Sequence, residues 1–254
     1  MGQARQKVRQ FLKDRPACIF CGGSRIATTI DHQPARALFD ERVWPDGYEF
    51  PACEPCNQLS KTAEHKLALL VRINSEREDD PIRRREFLKY ISAMRNNFPG
   101  LLKPLTANEK RRFLKNEGVL RPKGLALTDM NAVGIQGDAA ENLFDVTIEK
   151  LLRALHWKHT GNIVLWPEGV KATWYTNAYA HVFQGAVEEH EFYTNLPARP
   201  SIRRNGRDLS DQFSYRYGKN DAGDLSAFLL VFRQSIIVTG IVAQSDELLA
   251  IVRN

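Results

Sequence analysis

Two short cysteine pairs, Cys18-Ile-Phe-Cys21 and Cys53-Glu-Pro-Cys56, bracket the tetrapeptide Thr29-Ile30-Asp31-His32, and Asn57 follows the last cysteine directly. Four thiolates in two CxxC turns match the preference of a tetrahedral Zn²⁺ ion, each turn presenting two sulfurs to one side. A closed Cys₄ set leaves no open position for a substrate, so Cys18, Cys21, Cys53 and Cys56 read as a structural zinc site. Asp31, His32 and Asn57 are not needed for such a site. A carboxylate and an amide oxygen suit a hard divalent ion, Mg²⁺ or Mn²⁺, that keeps most of its waters. A neutral imidazole near pH 7 is a natural general base for one of those waters. Together these types describe metal-assisted hydrolysis. Successive strand residues face opposite ways, so Asp31 and His32 share a site only if the strand ends or bends there, and Pro34 makes that reasonable.

The elements that must position these groups follow from periodicity. Arg25–Ile30 is β-prone and leads into Asp31-His32; residues 33–47, with two prolines and Gly47, read as a loop; Tyr48–Ala52 returns as a strand into the second knuckle. Apolar residues at Leu59, Ala63, Leu67, Leu70 and Val71 predict a helix over 58–73. Further helices are expected over 2–13, 82–98 and 107–115. Residues 118–137, rich in Gly, Pro and Lys, read as a connector. Beyond it the pattern predicts a long helix over 139–159, strands at 163–165 and 172–175, a helix over 178–189, and strand-like segments at 213–217, 228–232 and 236–242. The expected fold is α+β: a zinc-bound ββα finger with helical flanks in residues 1–120, a linker at 121–137, and an α+β domain with a mainly antiparallel sheet in 138–254.

Charge adds a partner class. The net charge is +6, but residues 1–30 carry six Lys and Arg against one acid, and residues 81–124 carry twelve against three. Residues 31–80 run the other way, six against eleven. Two basic segments flanking an acidic, cation-seeking one suit a polyanion drawn across bound metal. Arg83, Arg84 and Arg85 are candidate phosphate contacts. No apolar run is long enough to span a bilayer, and the polar, basic N-terminus lacks the apolar core of a secretory signal. Cysteines used in metal-binding spacing suit a reducing, cytoplasmic setting.

Residues 18–65 resemble the His-Asn-His (HNH) endonucleases, whose catalytic unit is a ββα-metal finger. The resemblance lies in Asp31-His32 at the end of the first strand, in the two CxxC pairs around the finger, and in Cys56-Asn57-Gln-Leu-Ser-Lys61 at the helix entry. It implies a divalent-metal-dependent phosphodiesterase acting on nucleic acid, DNA before RNA. His32 is then the general base, Asp31 and Asn57 the ligands of the catalytic ion, and Lys61 a phosphate contact. One finger cuts one strand, so double-strand cleavage calls for a homodimer or two separate events. The family's middle Asn has no counterpart in Pro45-Asp-Gly-Tyr-Glu49, where Asp46 is the candidate substitute. The rival expectations are a zinc-stabilised nucleic-acid-binding module without cleavage, and a defence- or toxin-type nuclease held in check by its C-terminal domain. His156 and His159 read as helix-end residues, and the Phe213, Tyr215 and Tyr217 stripe as core.

Overall fold

The computed structural model describes residues 3–73, 80–99, 102–116, 133–135, 137–167, 169–176, 191–233, 235–245 and 248. Helix α1 spans Gln3–Asp14. The first knuckle then closes on itself: Cys18 N–H donates to the Arg25 carbonyl at 2.9 Å, and a 3₁₀ turn at Ile19–Cys21 ends on Gly22. Gly22 has φ +64°, and a Cβ there would lie 2.9 Å from the Trp166 nitrogen, so only glycine suits both the turn and the close approach. Because Arg25 and Ile26 close the knuckle, strand β1 begins later than the sequence suggests, at Thr29–His32. It pairs antiparallel with β2 (Glu49–Ala52), Thr29 opposite Ala52 and His32 opposite Glu49. β1 ends at His32, and the chain turns away through Gln33 and Pro34.

Cys53 is the N-cap of α2 (Glu54–Leu59), with Pro55 in its first turn, where a missing N–H costs nothing. The single helix expected over 58–73 is two: α2 stops at Ser60, and α3 runs from Lys61 to Ile73. α4 (Pro81–Asn97) starts on an Asp80 side chain that accepts from the backbone N–H groups of Ile82 and Arg83. The short strands β3 (Leu102–Pro104) and β4 (Val133–Ile135) pair with each other, and α5 spans Ala107–Asn116.

Helix α6, Gly137–Thr160, is the spine of the remainder. It packs on α3 and the first knuckle on one side, and on β5 (Val170–Thr176) and β10 (Ile236–Ala243) on the other. After α7 (Glu191–Thr194) and the small hairpin β6 (Arg203–Arg204) and β7 (Arg207–Asp208) come β8 (Phe213–Lys219) and β9 (Leu225–Phe232). The sheet order is β5-β10-β9-β8, antiparallel throughout. β9 alternates in burial, with Ser226, Phe228, Leu230 and Phe232 inward, the period-2 pattern of a half-covered sheet. At Gly240 a Cβ would come within 2.6 Å of Leu152, which shows how closely α6 lies on β10.

The fold is thus α+β, with a strand–helix region beside the cysteine cluster and a mainly antiparallel sheet towards the C-terminus. Buried side chains from Cys18 to Val71 and from Ile148 to Val242 form one continuous core. The expected linker at 121–137 lies mostly outside the described residues, as does the helix expected over 178–189. The strand expected at 163–165 is extended loop. Arg153, 2 % exposed, donates to the carbonyls of Val164, Leu165 and Pro167, so a side chain takes the place of a strand partner. Phe213 and Tyr215 are core, as their alternation predicts. No helix among the described residues is long and apolar enough to cross a membrane.

Candidate metal centre and the two faces of strand β1

The four cysteines converge. Their sulfurs all lie within 4.8 Å of one another, Cys18 and Cys53 buried, Cys21 and Cys56 partly so. Burial and the neighbouring thiols push the Cys56 proton affinity well up. A dication relieves that crowding by binding the thiolates, which is the fit a metal requires of this donor set. The cluster ties the turn before β1 to the start of α2, so it clamps the hairpin at the end opposite Asp31-His32.

Alternation along β1 separates the remaining candidates. Thr29 and Asp31 face α2 and α3. Asn57 Nδ2 donates to Thr29 Oγ1 at 3.1 Å, which puts Asn57 and Asp31 on the same side of the strand. Asp31 is 6 % exposed and lies in a buried polar cluster. Its Oδ1 accepts from the His32 backbone N–H at 2.7 Å, and its Oδ2 is ion-paired with Lys150 of α6. Lys150 also donates to Ser60 Oγ at 2.7 Å and lies 3.8 Å from Glu64 Oε1. Ser60 Oγ and Gln33 Nε2 in turn donate to Glu64, at 2.5 and 3.3 Å. Two carboxyl groups face one amino group. Burial raises the Asp31 proton affinity; Lys150 opposes the shift and Glu64 adds to it. Carboxylate and hydroxyl oxygens are here gathered round a cationic nitrogen. Neither Glu64 nor Lys150 stood out in the sequence. Glu64 is marked only by its helical spacing from Asn57 and Ser60, and Lys150 by nothing short of the tertiary fold.

His32 lies on the opposite face, half-buried. Its ring meets the Trp44 ring edge-on at 5.0 Å, and its Nε2 is 2.6 Å from Arg36 Nη2. With a guanidinium donating to it, Nε2 is an acceptor and the imidazole is neutral. Its pKa is drawn down to about 4, first by burial and then by the charges of Arg36 and Arg204. Asp31 and His32 are therefore adjacent in sequence but look into different surroundings.

The other candidates are scattered. Lys61 is exposed at the start of α3, and Arg84 is exposed on α4. Arg85 lies 3.7 Å from Glu41. Arg83 is engaged by Asp40, Asp80 and Asp211, which leaves its charge compensated within the fold. Asp46 has partners outside strand β1. It holds the β6–β7 hairpin, accepting from Arg204 Nη1 at 2.7 Å and from the Asn205 N–H at 3.0 Å. His156 Nδ1 pairs with Ser226 Oγ at 2.8 Å; His159 Nε2 pairs with Tyr215 Oη at 2.8 Å and its ring stacks on Tyr217 at 3.7 Å. Burial holds both imidazoles at a pKa of about 4, and both read as packing groups.

The fold and this site define an α+β protein with a four-cysteine cluster able to hold a metal ion. Comparison with known proteins finds no matching family model, no matching curated protein and no matching solved structure.

Proposed function

We propose that the protein is a metal-dependent endonuclease of the HNH type that hydrolyses phosphodiester bonds of nucleic acid, DNA in the first instance. The observation that carries this reading is the local architecture: Asp31-His32 ends the first strand of an antiparallel hairpin, and the second strand runs through a cysteine cluster into the helix that bears Asn57. The soft thiolate set suits zinc in a structural role. His32, neutral and with Nε2 in its acceptor form, is suited to take a proton from an attacking water. Asp31 and Asn57, joined by Glu64, would hold Mg²⁺ or Mn²⁺, in exchange for the Lys150 ammonium. The bound ion supplies Lewis-acid stabilisation of charge at the phosphate. Double-strand cleavage would call for a homodimer or two nicks.

The test is cleavage of supercoiled plasmid by the full chain with Mg²⁺ or Mn²⁺, wild type against His32→Ala. Metal-dependent nicking that falls by about a hundredfold or more in the variant is expected, the usual scale of a general base. Equal cutting by both proteins would assign the activity elsewhere, and silence in both would sink the reading.

One observation favours a second reading, a zinc-stabilised nucleic-acid-binding module without cleavage. Both chemically active side chains already have partners, Asp31 in Lys150 and His32 in Arg36. Equal DNA binding by wild type and His32→Ala, with no cutting by either, would favour it. The same Lys150 contact comes from the C-terminal half of the chain, which fits a nuclease held in check by that half.

A further inference from the structure

Two guanidinium groups flank His32, and the ββα reading uses neither. Arg36, just beyond β1, holds Nη2 at 2.6 Å from His32 Nε2, and its Cζ lies 3.7 Å from the Trp44 ring centroid. Arg204, on the β6–β7 hairpin, brings its Cζ to 4.3 Å from the same ring. Trp44 is itself oriented, its indole N–H donating to Glu49 Oε1 at 3.3 Å. The hairpin is pinned to the finger at one turn: Asp46 N–H donates to the Arg203 carbonyl at 2.8 Å, and the Asp46 carboxylate takes Arg204 Nη1 and the Asn205 N–H. One aromatic ring thus gathers two cations from distant parts of the chain beside one imidazole.

The charges around this ring are unevenly matched. Arg204 has Asp46, and Glu49 receives the indole. Arg36 has no carboxylate within ion-pair distance among the described residues, and its Nε is buried without a hydrogen-bond partner. A buried donor left unpaired is costly. Placing a second cation nearby, in partly desolvated surroundings, adds repulsion. An anion at this position would relieve both. Guanidinium N–H groups recognise phosphate oxygens as a planar fork. A carboxylate is satisfied by one fork, whereas a phosphodiester offers oxygens to two.

We propose that Arg36 and Arg204, spaced by Trp44, form a clamp beside His32 for a phosphodiester of a nucleic-acid strand. The identity of the anion rests on the nuclease reading; the clamp itself rests on the geometry. On binding, Arg36 exchanges His32 Nε2 for a phosphate oxygen, which leaves that ring nitrogen open next to the bound phosphate. Arg204 lies in the C-terminal half, so that half completes the site and is more than an accessory to it.

The experiment is fluorescence anisotropy of a short labelled DNA strand, single and duplex, with the full chain in the absence of added divalent metal and across a range of salt. Arg36→Gln and Arg204→Gln are each expected to weaken binding about tenfold. Each is also expected to lower the slope of log K against log salt by about one, the effect of losing one phosphate contact. Arg204→Lys keeps the charge without the fork, and should recover the slope but not the full affinity. Unchanged affinity and slope in variants that unfold at the wild-type temperature would overturn the clamp, as would a wild type that binds neither strand. Inorganic phosphate that displaces the strand at equal concentration would make the ligand a free phosphate and overturn the nucleic-acid assignment. Should Arg36→Gln not fold, Arg204→Gln, on a partly exposed hairpin, decides alone. Plasmid cleavage that persists unchanged in both variants would keep the nuclease and remove the clamp. Binding lost in the variants of a protein that never cleaves would keep the clamp and remove the nuclease.

Discussion

At the scale of single residues, side chains do unequal work according to what surrounds them. Cys18, Cys21, Cys53 and Cys56 converge from two turns far apart in the sequence. A metal bound by them should contribute directly to folding, on the order of 10 kcal/mol of coupled binding energy in small zinc domains. Elemental analysis of the purified chain is expected to give one zinc per molecule, and Cys56→Ser to reduce it and to lower the unfolding temperature. Strong chelation should do the same to the wild type. Full occupancy and an unchanged melt in Cys56→Ser would remove the cluster from the stability of the fold. His32 illustrates the opposite case, in which burial and two guanidiniums decide the protonation state of a residue whose ordinary pKa lies near neutrality.

At the scale of elements, α6 deserves its central place because of one lysine. Lys150 is 6 % exposed and is the counter-ion of Asp31 and Glu64 across the junction with α2 and α3. It also lines a cavity of about 270 Å³ with Phe20, Cys56, Glu149 and Trp166, which gives its long side chain another direction to take. Lys150→Met leaves two carboxylates facing each other in a buried site. The variant is expected to lose about 3 kcal/mol of stability in metal-free buffer, the usual cost of removing one partner of a buried pair. Mg²⁺ or Mn²⁺ should then raise its unfolding temperature by more than it raises that of the wild type, because a dication balances two carboxylates and Lys150 no longer competes. Thermal unfolding with and without metal checks both statements. Equal metal-induced shifts in the two proteins would separate Lys150 from the metal site.

At the scale of the whole molecule, the strand–helix region and the sheet are joined by a second buried ionic cluster. Asp40, in the loop after β1, accepts from Arg233 at 2.7 and 3.2 Å and lies 3.5 Å from Arg72 of α3. Arg233 occupies the turn between β9 and β10 with φ +48°, a conformation that L side chains rarely adopt. Gln212 completes the cluster, accepting from Arg233 Nη2 and from the Asp40 N–H. Burial, and then the neighbouring Arg233 guanidinium, draw the Arg72 pKa down to about 10. Asp40→Asn keeps the shape but removes the charge that Arg233 and Arg72 share, and should cost about 3–5 kcal/mol. Denaturant unfolding is the measurement; a loss below about 1 kcal/mol would show that the two arginines find other partners.

The sequence by itself determined what is local. CxxC spacing announced the cysteine cluster, alternation announced β8–β10, helical periodicity announced α3 and α6, and Asp31, His32 and Asn57 stood out as candidates by their chemistry alone. Element ends shifted where side chains intervened: Ser60 divided one expected helix, and Arg153 took the carbonyls of a segment that reads as a strand. Only the tertiary structure decided which groups meet those candidates. Lys150 lies far along the chain from Asp31 yet is its ion-pair partner, and Arg204 lies far from His32 yet joins Arg36 in lowering its pKa. Arg83 looks like a free basic residue in the sequence and proves to be compensated by three aspartates. The physical reason is range. Periodicity and spacing report the backbone within a few residues, whereas charge and desolvation act through space, between groups whose separation along the chain carries no signal.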